Sequence, residues 1–239
     1  PSSSSHALIG GFAGAGVTHA GWQVLRWDKL LHTAYFIPLA PLIGLVCGFA
    51  IMLTVFWVFR RWRPTAVDRF FRKGQLFSAA LYSLGHGGND AQKTMGVIVA
   101  VLVAAGWMSP ATQISLRDPK TLWIILGCHL AMGLGTAFGG WRIVRTMGMK
   151  ITKLKPVGGF CAETAGALTL FVATFAGIPV STTHTITGAI VGVGATTTLS
   201  GIKWGIAGRI VWAWLLTIPA AAAVASLVAL LCRSLIPGF

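Results

Sequence analysis

The chain is 239 residues long, 55% hydrophobic and only 10% charged, with 19 Lys and Arg against 5 Asp and Glu for a net charge of +14. Soluble domains carry roughly 25% charged residues, so this chain has too few to build a water-facing surface. A soluble chain this basic would point to nucleic acid; here most basic residues fall between apolar runs, which argues against nucleic acid and for the cytoplasmic segments of a membrane protein.

In chain order, residues 7–21 form a small-residue, Gly-rich apolar segment. Residues 34–59 are a long apolar run with Pro38 and Pro41 near its start, where a helix tolerates proline best. A basic stretch follows at 60–73, with Arg60, Arg61, Arg63, Arg69, Arg72 and Lys73 against the single acid Asp68. Residues 76–107 are apolar apart from Gly85-His86-Gly87-Gly88-Asn89-Asp90, whose glycines predict a break in the helix. After a polar loop with Pro110 and Pro119 comes the run 121–141, then a second basic stretch, 142–155, with Arg142, Arg145, Lys150, Lys153 and Lys155. The runs 157–178 and 180–199 meet at Pro179, and 210–231 is the last. A helical span needs about 20 apolar residues, so the expected fold is an all-α polytopic membrane protein.

Basic loops stay inside. Both basic stretches are therefore assigned to the cytoplasmic side of the plasma (inner) membrane, and the two crossings between them agree with that parity. Trp22, Trp27, Trp107, Trp123, Trp141, Trp204, Trp212 and Trp214 lie near run ends, as an interfacial aromatic belt requires. Cys47, Cys128, Cys161 and Cys232 all lie in apolar runs without ligand spacing and read as small buried residues. His32 and His129 lack a polar context and read as core or interfacial residues.

The sequence repeats itself. Pro1 to Gly16 reads PSSSSHALIGGFAGAG, and Pro179 to Gly194 reads PVSTTHTITGAIVGVG. Pro1/Pro179, Ser3/Ser181, His6/His184, Gly10/Gly188, Gly14/Gly192 and Gly16/Gly194 recur in register, and Ser4 and Ser5 become Thr182 and Thr183. The number of crossings between the copies is odd whether 157–199 spans twice or forms a re-entrant hairpin. The copies are therefore expected to be inverted, and inverted repeats with interrupted helices are a signature of secondary transporters. The resulting division is 1–33, the end of a first repeat; 34–75, a transmembrane helix and basic cytoplasmic loop; 76–209, the second repeat; and 210–239, a terminal transmembrane helix. Copy two is preceded by the segment 85–90 and copy one by nothing, so an N-terminal part of the same protein is expected before Pro1.

Two constellations carry chemistry. Asp90 and Lys93 are charges at membrane depth, where each costs about 2.5–3.5 kcal/mol on insertion scales and marks a pathway or bound ion. A break at 85–90 would expose backbone N–H groups and a positive helix end, an anion site with Lys93 and Thr94 beside it; the bland reading is a self-neutralising Asp90–Lys93 pair. No nucleotide-binding loop is present, because Gln92 precedes Lys93 where G-x-x-x-x-G-K-[ST] needs glycine. Ser181, Thr182, Thr183 and His184, with Ser3, Ser4, Ser5 and His6 in the other copy, place hydroxyls and an imidazole at a helix start. The alternatives there are ordinary capping and an oxyanion site. Glu163 is a further carboxylate in an apolar run, a candidate for a cation or proton.

These motifs resemble those of the inorganic phosphate transporter (PiT) family. The first is Gly87-Gly88-Asn89-Asp90, continued by Ala91-Gln92-Lys93-Thr94, and the second is Pro179 to His184 with its degenerate partner Pro1 to His6. The resemblance covers most of the chain, including 135–163. It implies an all-helical inverted-repeat symporter that carries inorganic phosphate, free or as a metal–phosphate complex, with H+ or Na+ as coupling ion and no cofactor. It also implies phosphate or coupling-ion roles for Asn89, Asp90, Ser181, Thr182 and Thr183, with Ser3, Ser4 and Ser5 matching less closely because Ser replaces Thr twice; phosphate is assigned to Asn89 and the hydroxyls, and the coupling ion or proton to Asp90 and, from its place in an apolar run, Glu163. Lys93, Thr94, His184 and His6 are further pathway candidates. No protein metal site is expected; the lipid bilayer and a homo-oligomeric assembly are the expected surroundings. A first Gly-x-Asn-Asp element is not in this sequence, so it is expected about 90 residues upstream of Pro1, as Asp90 precedes Pro179, and the chain alone is not expected to transport. Rival readings are a carrier of another oxyanion such as sulfate and a membrane-embedded serine hydrolase, which lacks its G-x-S-x-G elbow here.

Overall fold

The computed structural model describes residues 2–178 and 180–235, the side chain of Arg142 excepted. Pro1 and Pro179, which open the two repeat copies, lie outside the described residues. Seven α-helices are found among those described: α1 Ser4–Ala20, α2 Trp27–Phe59, α3 Pro64–Ala104, α4 Pro119–Arg145, α5 Pro156–Phe175, α6 Thr182–Ala195 and α7 Trp204–Leu235. Short 3₁₀ turns occupy Trp22–Val24 and Leu199–Gly201, and a π-helical segment, Thr146–Ile151, links α4 towards α5. No strand occurs among the described residues.

The polarity is inside out relative to a soluble protein. Phe138, Phe175 and Trp107 are more than 80% exposed, while Ser3, Ser5, His6, Asn89, Asp90, Ser181, Thr182 and His184 are buried. Burying polar groups is favourable only where they find partners, and an apolar exterior is favourable only in lipid. Four helices, α2, α4, α5 and α7, are long and apolar enough to cross a membrane. With 14 residues, α6 is about 21 Å long, short of the ~30 Å hydrocarbon core.

Three expectations need correction. The glycines at 85–88 do not break the helix: α3 runs without interruption through 41 residues. A helical glycine costs only about 1 kcal/mol, and the packing of α3 along α5 offsets it, with Gly85 against Leu170. The boundary at 75/76 accordingly falls inside α3. The basic stretch 60–73 is not a loop beyond residue 63, because Pro64 starts α3 at a position suited to proline; Arg69, Arg72 and Lys73 are helical, and Arg72 pairs with Asp68 at 2.9 Å. Lastly, Trp214 does not join the aromatic belt: it is buried and stacks on His184 with ring centroids 3.7 Å apart.

Pro38 and Pro41 lie well inside α2, which begins at Trp27. A proline at 41 cannot donate to the carbonyl of residue 37. That freed oxygen, Ile37 O, has Nδ1 of His184 3.4 Å away. Glycines let the neighbouring backbones close in. A Cβ at Gly188 would strike the Pro41 carbonyl and one at Gly192 the Leu45 carbonyl; in the other copy, Gly10 meets Ile218 and Gly14 meets Ala222. Residues four apart meet residues four apart in the same order, so α6 runs parallel to α2 and α1 parallel to α7. The recurring glycines are thus helix-contact positions, as small residues are in membrane bundles. The main apolar core joins Met52, Phe71, Ile151, Cys161, Ile190 and Trp214 from α2, α3, the π segment, α5, α6 and α7.

Candidate functional site: a buried lysine network beside a cavity

The two hydroxyl-rich segments become helix starts with identical caps. The Ser3 side chain accepts the His6 N–H at 3.2 Å, and the Ser181 side chain accepts the His184 N–H at 3.4 Å. Such caps satisfy donors that a helix start leaves unpaired. The starts of α1 and α6 meet: the His6 and His184 rings are 4.6 Å apart, edge to face. His6 Nδ1, His184 Nε2 and Trp214 Nε1 are buried without a hydrogen-bond partner among the described residues.

Lys93 ties the two starts to α3. Its Nζ, with three N–H donors, lies within hydrogen-bond distance of four oxygens: Asn89 Oδ1 at 2.6 Å, Ser5 Oγ at 2.7 Å, Asp90 Oδ1 at 2.8 Å and the Val180 carbonyl at 3.0 Å. The second carboxylate oxygen of Asp90 takes His86 Nε2 and the Thr182 hydroxyl, each at 3.2 Å. Asn89 donates to Thr174 on α5 at 3.2 Å. Because α3 is unbroken, Asn89 and Asp90 act through side chains and not through freed backbone N–H groups. Charged hydrogen bonds in a low-dielectric interior are strong when every partner is satisfied.

A cavity of about 1160 Å³ lies beside this network. Tyr82, His86, Asp90 and Thr94 line it from α3, Glu163 from α5, Thr182 and Thr183 from α6, and Ser2 and Ser4 from the chain start. Arg145 and Lys155 line it as well, in the second basic segment. The Ser4 and Thr183 hydroxyls make no hydrogen bond among the described residues, whereas Thr182 is engaged with Asp90. Glu163 accepts from Ser78 at 2.6 Å and pairs with no basic group among the described residues. Among the described residues, no three His, Cys, Asp or Glu side chains converge in a way that could hold a metal ion.

The site residues read from the sequence are therefore divided. Asp90, Thr94, Glu163, Ser4, Thr182 and Thr183 line the cavity; Asn89, Lys93 and Ser5 form the network behind it; Ser3 and Ser181 cap helices; His6 and His184 pack against each other. Sequence reading missed Ser78, Tyr82, His86 and Thr174. Ser78, Tyr82, His86 and Asp90 recur at four-residue spacing, one face of a helix, and this stripe went unread because a break was expected at residue 85.

An all-helical chain with an apolar exterior, a buried ion pair and a cavity bordered by a few polar side chains is a polytopic membrane protein. The phosphate transporter family matches the chain over residues 1–225, and the chain belongs to that family. It is 56% identical over 227 residues to a probable low-affinity inorganic phosphate transporter of Rhizobium meliloti (strain 1021), covering 95% of this chain and 66% of that protein. A protein of the same description from Bacillus subtilis (strain 168) is 41% identical, with 93% and 65% covered; one from Mycobacterium leprae (strain TN) is 39% identical, with 94% and 53% covered. The chain thus spans about two thirds or less of the length of these relatives. A solved structure described as the sodium-dependent phosphate transporter has the same fold, with a TM-score of 0.82 at 22% identity over 99% of this chain and 74% of that one.

Proposed function

We propose that the chain forms part of a secondary carrier that moves inorganic phosphate, free or as a metal–phosphate complex, in symport with H+ or Na+. The observation that carries this reading is the uncommitted hydroxyl pair, Ser4 and Thr183, facing one cavity at the starts of α1 and α6. Helix starts offer N–H donors and a positive dipole end to an oxyanion. Lys93, the cation that touches these helix starts, is already neutralised by Asp90, so at the starts phosphate is held by neutral donors and dipoles and can be released.

In this reading the basic segments 60–73 and 142–155 face the cytoplasm of the inner membrane. Arg145 and Lys155 then collect anions at the cytoplasmic end of the cavity. The two repeat copies are inverted, with α5 and α6 as the arms of a re-entrant hairpin. The short α6 supports this, since its length reaches only part of the way across the bilayer. Glu163, lining the cavity without a cationic partner among the described residues, is the proton or coupling-ion group.

The test is uptake of labelled phosphate by the full-length gene product in proteoliposomes, with sulfate and arsenate as competitors. Saturable phosphate uptake inhibited by arsenate and not by equimolar sulfate is expected. Equal inhibition by sulfate would reassign the site to oxyanions in general, and absence of uptake in either ion gradient would remove the carrier reading.

A further inference from the structure

The four atoms around Lys93 Nζ are all oxygens: a carboxylate, a side-chain amide, a hydroxyl and a backbone carbonyl, at 2.6–3.0 Å. That donor set, with one negative charge, is what a small hard cation selects. The oxygens come from three separate places: Ser5 on α1, Asn89 and Asp90 on α3, and Val180 in the link between α5 and α6. Val180 is buried and its accepting carbonyl belongs to non-helical backbone, which inside a membrane is tolerated only where it is buried in protein or lines a cavity. An ammonium here therefore does the work of a bound ion: it neutralises Asp90 and ties both helix starts to α3.

We propose that the Lys93 ammonium is a tethered occupant of a monovalent cation site, and that this chain consequently needs no Na+ there. The site would take Na+ only once the lysine is gone. The inference deepens the carrier reading, because it removes Asp90 from the groups free to bind a coupling ion and leaves Glu163. It does not depend on phosphate being the cargo. The bland account, an Asp90–Lys93 pair at i, i+3 that merely cancels two charges, uses only one of the four oxygens and leaves Ser5 and the Val180 carbonyl unexplained.

The experiment measures thermal unfolding of the purified full-length gene product in NaCl and in choline chloride at equal ionic strength. Wild type, Asp90→Asn, Lys93→Ala and the Lys93→Ala/Asp90→Asn double variant are compared. Na+ is expected to add nothing at the Lys93 cage in wild type, so wild type and Asp90→Asn should respond to Na+ alike. Lys93→Ala leaves the buried Asp90 carboxylate without its ammonium, with only His86 and Thr182 on its other oxygen, so it should be less stable in choline. It should regain stability saturably with Na+, since a ligand that binds only the folded state raises the midpoint. The double variant should lose that Na+ response. Aggregation of Lys93→Ala in choline with a monodisperse protein in Na+ is the same result in stronger form. A folded Lys93→Ala indifferent to Na+ overturns the proposal. So does a wild-type Na+ response that Asp90→Asn abolishes. If Lys93→Ala aggregates in both salts, the cage cannot take Na+ in place of the ammonium and the proposal fails. None of these readouts involves phosphate, so failure here and failure of phosphate uptake are separate outcomes.

Discussion

Asp90 is the residue on which the site turns. Both its carboxylate oxygens are spoken for, one by Lys93 and the other by His86 and Thr182. Removing one partner of a buried pair costs about 3–5 kcal/mol, while replacing both by neutral groups is often tolerated. Asp90→Asn is therefore expected to destabilise the folded protein by that amount and abolish uptake, whereas Asp90→Asn with Lys93→Met recovers most of the stability and none of the transport. Chemical unfolding in detergent checks the first part, uptake the second. A single variant as stable as wild type would mean the pair is solvated. The importance of Asp90 and Lys93 was legible in the sequence because charges are rare in apolar runs. Their partners Ser5 and Val180 were not, since these lie 88 and 87 residues from Lys93 in sequence, and only the fold brings them together.

Among the elements, α6 is the most tightly held. Its glycines face the carbonyls of Pro41 and Leu45, and a Cβ at 188 has nowhere to go, whereas at Gly11 on α1 nothing lies within 4 Å. Gly188→Ala is accordingly expected to lower stability by about 1–3 kcal/mol through overpacking. Gly11→Ala should be neutral or stabilising by up to about 1 kcal/mol from helix propensity alone. Melting curves of the two variants should move apart; equal curves would mean that α6 does not sit against α2 as described. The repeated glycines could be read from the sequence as a pattern, but not their partners, because helix pairing between distant segments leaves no local trace. The unbroken α3 shows the converse: glycine runs mark a break only where packing does not hold the helix, and the contact of α3 with α5 is a tertiary effect that composition does not report.

Across the whole molecule, two parallel helix pairs, α1 with α7 and α2 with α6, meet where His6 and His184 touch. Lys93 and Asp90 bridge the meeting point, and a cavity lies to one side. The repeat in the sequence foretold two equivalent helix starts, and the structure caps both in the same way. That the second start is bonded to Asp90 while the first is bonded to Lys93 was not legible, because the two copies meet α3 from different elements. The account places the cargo at these starts, and Thr183 tests it best. Thr183 lines the cavity and its hydroxyl makes no hydrogen bond among the described residues, so its removal disturbs no network described there. Losing one hydrogen bond to a charged ligand costs about 1.5–3 kcal/mol, roughly a ten- to hundredfold change in affinity. The measurement is phosphate uptake against concentration for wild type and Thr183→Val in the full-length gene product at matched surface expression. The account predicts a ten- to hundredfold higher half-saturating phosphate concentration in the variant; an unchanged value would contradict it and move the phosphate site away from the start of α6.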